Sequence, residues 1–541
     1  MLNLLKNRIV CNKYFDWLLF ITLMAKVMAN LARFRNIIIK WMTMKRLPLL
    51  FIALFCLPTS AVEPQSEQIA DYAVGHYADE MVTSLQNLVK FNTVAVNGKT
   101  PDTNPEFIGF KDELKSLSQQ LGLDYVDHGY VILIGLGQQS DKLGIITHGD
   151  VQPANPALWQ QSPYELDMTS EPGKLIGRGT EDDKGAIVTA MYAMKSIKDH
   201  DIKLNRRIEL MVYLAEESDW TPLKTFLTTF TPADINITID AEYPVVTAEK
   251  GWSKIEFVIP KVTDENVTTQ RPTLNQFSGG YFGSQVPQQA QAEISFADQK
   301  LINQLKQQAT TQQGMHYRFE QQGSRLLIFA DGKAAHSSTP EDGVNAVTHL
   351  AQLLAIHPWP KTTASLTQLF IHEMIGMGIY AEQFGDIAYQ DDFMGPMSLA
   401  PTIVKSGEKG TQVMINLRRP LGKTPELLDS QAHAALENWQ AKHQVKLVGL
   451  ETYWGEPMVM KDAPQLDTLL DVFAHFTGVE NPQPVAIGGS TNSKLFPNAL
   501  SFGPAMPGVE YTGHTEHEFI TYDQFMLNLK MYTAAFIELA Q

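Results

Sequence analysis

Short, continuously apolar runs punctuate the first half of this 541-residue chain. Tyr130-Val131-Ile132-Leu133-Ile134 and Leu143-Gly144-Ile145-Ile146-Thr147 lack the alternation of a half-exposed strand. They predict strands covered on both faces. Ahead of them, Gln65 to Lys90 carries Ile69, Tyr72, Ala73, His76 and Met81 at three-to-four spacing and predicts a helix, as does Phe107 to Leu121. Then the pattern alternates: helix from Lys184 to Lys198, strand at Ile208 to Ala215, helix at Leu223 to Phe230, strand at Ile235 to Ile239. Strand and helix in turn predict a three-layer α/β/α domain.

From Lys254 the pattern changes to shorter strands, Gln-rich helical pieces such as Gln299 to Gln313, and irregular connections. Strands are expected at Ile255 to Ile259, Gln291 to Phe296, Arg325 to Ala330 and Val413 to Leu417, with helices at Val344 to Ala355 and Pro425 to Lys442. Near Trp454 the first style returns, with helices at Ala463 to Phe476 and Tyr522 to Leu539. This predicts an α+β domain, residues 251–453, inserted into a catalytic domain made of residues 62–250 and 454–541. No internal repeat is visible.

Residues 1–61 differ in charge, with nine Lys or Arg against one acid, Asp16. The rest holds 34 basic and 58 acidic residues, an acidic balance that argues against a nucleic-acid groove. Met44-Lys45-Arg46, the apolar stretch Leu47 to Leu57 and Thr59-Ser60-Ala61 together predict a cleavable signal peptide, hence export to the periplasm or beyond. That stretch is shorter than the roughly 20 residues that span a bilayer, so no stable anchor is expected after cleavage. A second apolar patch, Trp17 to Leu23, precedes this complete signal, and translation is expected to start at Met42 or Met44. Both cysteines, Cys11 and Cys56, fall in the leader, leaving the mature chain without a disulfide or a thiol nucleophile.

Three predicted strands and one Gly-rich turn end in acid or histidine. His148-Gly149-Asp150 follows Leu143 to Thr147; Glu216-Glu217 follows Arg207 to Ala215; Asp240 follows Ile235 to Ile239. Asp182 lies in the Gly-rich turn Gly177-Arg178-Gly179-Thr180-Glu181-Asp182-Asp183-Lys184-Gly185, just ahead of a helix. Singly, each has an ordinary explanation: a loop-shaping turn, a helix cap, a solvated acidic loop. Jointly, at the carboxyl ends of buried strands, they have the composition of a metal site with a carboxylate base beside it. Asp150 is placed to hydrogen-bond the second ring nitrogen of His148.

These motifs, with Asp240-Ala241-Glu242, Glu249-Lys250-Gly251, Gly488-Gly489-Ser490-Thr491 and Gly513-His514 leading to Glu518-Phe519-Ile520, resemble the co-catalytic dizinc peptidases. That superfamily includes glutamate carboxypeptidase, succinyl-diaminopimelate desuccinylase, carnosinases and PepV-type dipeptidases. The likeness covers nearly the whole mature chain, and the PepV-type dipeptidases look closest. The resemblance implies a dizinc peptidase catalytic domain with an inserted lid. It implies two zinc ions, with manganese or cobalt able to use the same ligands, and a bridging Asp182. His148 and Asp240 complete one site, Glu217 and His514 the other. Glu216 is implied as general base, Asp150 as the partner of His148, and the peptide after Asp182 as cis. In the lid, His336 is implied to stabilise the oxyanion and Arg418 to hold the substrate carboxylate, with Arg419 as its competitor. The large lid implies a monomer. The implied reaction is hydrolysis of dipeptides, Xaa-His and β-Ala dipeptides included.

There are departures. Ser284 stands where those dipeptidases carry a lid asparagine, and Asn492 and Lys494 stand where a tyrosine and an arginine are expected. They bear on side-chain preference rather than on the metal chemistry. His517 competes in principle with His514. Rival readings are an N-acyl-amino-acid deacylase or carboxypeptidase of the same superfamily, and an exported metal- or peptide-binding protein without catalysis. Retention of Glu216, which a pure binder does not need, disfavours the last.

Overall fold

A computed structural model describes residues 62–262 and 271–541. The predicted leader and its signal peptide lie outside the described residues. Two sheets organise the fold. The first has nine strands, and its centre is parallel: Arg207–Tyr213, Lys142–His148, Ile235–Thr238 and Ala499–Ser501 lie side by side. Leucine, isoleucine and valine side chains on both faces of these strands are buried, which is why their sequence runs apolar without alternation.

The two faces are covered unequally. Helices Pro64–Val89, Pro105–Leu121, Lys184–Asp199, Leu466–Thr477 and Tyr522–Ala540 share one large core with Ile132, Ile145, Leu210 and Ile237 of the sheet. The opposite face packs Leu133, Ile146 and Met211 against the short helix Thr221–Leu227 and the segment around Phe496. The result is a mixed α/β fold with helices on both sides of the sheet.

The second sheet has eight strands, antiparallel throughout. The strand Gly251–Pro260 alternates buried and half-buried, so Ile255, Phe257 and Ile259 face a core shared with helices Gln299–Ala309, Ala346–Leu354, Thr363–Phe370 and Pro425–His443. The chain crosses between sheets twice. Val246–Glu249 belongs to the first sheet and Gly251–Pro260 to the second; Val448–Trp454 closes the second and Met458–Val459 rejoins the first.

Periodicity predicts the long helices to within a few residues but misses several strands. Ser398–Ser406 contains Pro401, which lacks the N–H a central strand needs, yet it pairs on both sides. The register shift between Pro401 and Ile403 accommodates it as a bulge. His316–Gln322 is polar because it is the sheet's edge. The peptides Asp182-Asp183, Tyr243-Pro244 and Gly503-Pro504 are cis, the first as the resemblance implies. Among the described residues, no helix is long and apolar enough to cross a membrane.

Candidate active site

The parallel strands deliver their carboxyl ends to one place. His148 is the last residue of its strand and is buried. Its Nε2 lies 2.9 Å from Asp182 Oδ1 and 3.5 Å from Asp240 Oδ1. On the far side of the same carboxylate, Asp182 Oδ2 lies 3.0 Å from His514 Nε2, which is itself 2.7 Å from Glu217 Oε1. Asp182 thus presents one oxygen to each histidine. Two sets of ligand-type atoms result, His148 with Asp182 and Asp240, and Asp182 with Glu217 and His514, each within 4.8 Å of one another.

Asp150 lies at the second ring nitrogen of His148, nearer through its main chain than through its carboxylate. His148 Nδ1 lies 2.9 Å from the main-chain carbonyl of Asp150 and 3.6 Å from its carboxylate. The carboxylate is turned instead to the backbone, where it accepts the N–H groups of Glu216 (3.0 Å) and Glu217 (3.1 Å). One residue therefore orients the imidazole through its main chain and the adjacent acids through its side chain. Glu216 Oε1 in turn accepts the N–H of Asn492 at 3.2 Å.

The electrostatics of this cluster favour positive charge. Among the described residues, no Lys or Arg comes within 4.0 Å of the carboxylates of Asp182, Glu216, Glu217 or Asp240. Burial and then the charge of Asp240 push the Glu216 carboxyl well up. Burial pushes Asp182 up too, but its bonds to His148 and His514 outweigh this and hold it well below the carboxylate range. Burial lowers His514, yet the Glu217 charge and the Asp182 bond carry it to about 10. Two imidazoles and a set of carboxylate oxygens are the borderline-hard donors that Zn²⁺, Mn²⁺ and Co²⁺ share. The residues present fit a pair of such ions.

Sequence reasoning missed a set of buried carboxylates that shape the loops. Glu518 Oε1 gathers the N–H groups of Gly179 (2.9 Å), Glu181 (3.0 Å) and Asp182 (3.0 Å), while Oε2 pairs with Arg178 at 2.7 Å. Glu181 accepts Thr512 N and Oγ1, both at 2.7 Å, and Gly513 N at 3.2 Å, which fixes the turn carrying His514. His514 itself sits at φ 63°, a conformation non-glycine residues enter only under constraint. Tyr511 donates to Asp182 Oδ2 at 2.8 Å. The clue was the crowding of acids in Glu181-Asp182-Asp183, of which only one can face a metal.

The second sheet brings its own residues over this cluster. The His336 ring lies 4.5 Å from that of His514, centroid to centroid. Ser338 N–H donates to its Nδ1 at 3.2 Å, so the neutral ring carries its proton on Nε2. Burial, and then the charges of His514 and Arg418, push His336 well below the usual histidine range and keep it neutral. Arg418 is buried, with bonds to Asn416 Oδ1 (3.1 Å), Ser337 Oγ (3.1 Å) and Gly488 O (3.5 Å), all neutral acceptors. Its neighbour Arg419 is engaged by Glu456 at 3.2 Å. Gln285, beside Ser284, donates to the main-chain carbonyl of His514 at 2.9 Å, and Ser284 O accepts Ser337 N–H at 2.8 Å. His517 points elsewhere, to a half-exposed pair with Glu171 at 2.8 Å.

A sheet with a parallel centre, whose strand ends and neighbouring turns assemble two overlapping sets of metal-ligand types beneath residues of an antiparallel sheet, has the form of a metal-dependent hydrolase. The chain belongs to peptidase family M20/M25/M40, whose family model matches residues 144–538. It is 28% identical over 414 residues to the β-Ala-Xaa dipeptidase of Lactobacillus delbrueckii subsp. lactis, covering 76% of this chain and 85% of that protein. In fold it is similar to human carnosine dipeptidase 1, with a TM-score of 0.57 at 16% identity, covering 89% of this chain and 100% of the other. The dipeptidase Dug1p of Saccharomyces cerevisiae gives a TM-score of 0.54 at 14% identity, over 88% and 99%. The chain is a peptide-bond hydrolase of this family.

Proposed function

We propose that the protein is an exported, monomeric dizinc dipeptidase. The observation that carries this reading is the split carboxylate of Asp182, one oxygen on each histidine, with Glu216 beside it and Arg418 free of any carboxylate partner among the described residues. His148 and Asp240 would hold one ion, Glu217 and His514 the other, and Asp182 both. When bound, such a pair supplies Lewis acidity and makes a shared water acidic enough to attack near neutral pH.

The chain's own groups do the rest. Glu216 takes a proton from the attacking water and returns it to the leaving amine. His336 Nε2–H faces the oxyanion that develops on the scissile carbonyl. Arg418 holds the free carboxylate of a short substrate, which favours dipeptides over long chains. The dipeptidase relative at 28% identity supports the same substrate class. The basic and apolar composition of residues 44–61 supports export. A single chain brings His336 to the cluster, which supports a monomer.

Turnover of β-Ala-His, Leu-Leu, N-acetyl-Met and a tripeptide, with metal content measured alongside, tests the reading. Dipeptides should be preferred; faster turnover of N-acetyl-Met or the tripeptide would replace it. Glu216→Gln should keep its metal while losing about 10²- to 10⁴-fold in kcat. Near-normal turnover of that variant would remove Glu216 as the base.

A further inference from the structure

The loop Gly488 to Lys494 follows the strand Val485–Ile487 and is pinned by buried Glu249. That carboxylate accepts Thr491 N (2.9 Å), Thr491 Oγ1 (2.7 Å) and Ser493 Oγ (3.0 Å). The pinning leaves polar groups unanswered. Asn492 gives its main-chain N–H to Glu216, but its carboxamide, on a residue only 1% exposed, finds a partner for neither Oδ1 nor Nδ2 among the described residues. A buried amide with both ends open is costly unless a ligand completes it.

Lys494 is two residues on. Its Nζ donates to Ser490 Oγ (2.5 Å) and to the Glu456 carbonyl (3.4 Å), both neutral. Glu249 is 3.9 Å away and already occupied by three other donors. Arg418 reaches the same loop through Gly488 O and is likewise held by neutral acceptors alone. Burial, and in the same direction the Arg418 charge, push the Lys494 ammonium below its ordinary range, against the pull of Glu249. Two largely buried cations and an open amide thus share one loop beside Glu216. Both cations feel the charges of Glu249 and Glu216, but Glu249 is already engaged by the loop, so a ligand carboxylate is favoured beside them.

We infer that these groups select dipeptides whose C-terminal residue is aspartate or glutamate. Arg418 takes the α-carboxylate, and Lys494 with the Asn492 carboxamide takes the side-chain carboxylate. The asparagine and lysine stand where a tyrosine and an arginine are expected from the resemblance, so this chain keeps a cation there and has an amide in place of an aromatic ring. The inference rests on the dipeptidase reading, and its test separates the two.

The test compares Ala-Asp, Ala-Glu, Ala-Gln, Ala-Leu and Ala-Lys as substrates of the metal-loaded full chain, with calorimetric binding of free glutamate and glutamine. Wild type should show kcat/KM for Ala-Glu about 10- to 100-fold above Ala-Gln, the worth of one charge-assisted bond. Lys494→Gln should raise KM for Ala-Glu by a similar factor and affect Ala-Leu far less, and Lys494→Glu should move the preference to Ala-Lys. Equal turnover of Ala-Glu and Ala-Gln by wild type, or equal losses on Ala-Glu and Ala-Leu in Lys494→Gln, would overturn this selection. If no dipeptide is cleaved but glutamate still outbinds glutamine and Lys494→Gln removes the difference, the acid-binding site stands and the dipeptidase reading falls.

Discussion

Asp182 and its neighbours show how adjacent residues of one type divide their work. Glu181 ties down the turn of His514, Asp182 faces both histidines, and Asp183 accepts a hydrogen bond from Thr147. Asp182→Asn should therefore weaken both metal sites together, dropping the bound metal well below two ions per chain by elemental analysis. Two tightly held ions in that variant would mean that the bridge is elsewhere. The sequence made Asp182 legible through its Gly-rich turn and its place before a helix. It could not assign Glu181, because neighbouring carboxylates read alike until the fold decides which backbone N–H groups surround each.

Among the elements, the segment Gly177 to Asp183 has no regular structure to hold it, and Glu518 does so from the far end of the chain. Glu518→Gln keeps the shape but removes the charge that answers Arg178 and three N–H groups. Breaking a buried pair in this way should cost about 3 to 5 kcal/mol of stability, visible as a lower midpoint in chemical denaturation and as weaker metal retention. A midpoint equal to wild type would show the loop to be self-supporting. Long helices and buried parallel strands were legible because their apolar patterns are strong. The polar edge strand His316–Gln322 and the bulged Ser398–Ser406 were not, because pairing partners rather than their own side chains make them strands.

For the whole molecule, metal binding and the fold should depend on each other. The ligands come from residues 148 to 514, so ions binding only the folded state tie distant segments together. Removing metal with a chelator should abolish turnover and lower Tm, and zinc, manganese or cobalt should restore both. The coupling is about 4 kcal/mol when free metal exceeds its dissociation constant a thousandfold. An unchanged Tm after complete demetallation would contradict it. Because His336 comes from the same chain as the cluster it covers, specific activity should be independent of dilution. A fall in specific activity at low protein concentration would point to a residue borrowed from a second copy.

The sequence by itself determined the fold class, the long helices, the parallel core strands and the residue types at their ends, because periodicity and strand termini are local properties. It also held the resemblance, carried by short motifs at recognisable spacing. Only the tertiary structure decided which acids face one another and which face backbone. It turned the Asp150 carboxylate toward Glu216 and Glu217, paired His517 with Glu171 rather than with the cluster, and left Arg418 without a carboxylate while Arg419 has Glu456. Those outcomes depend on Coulomb and hydrogen-bond partners well separated in the chain, which no local pattern encodes.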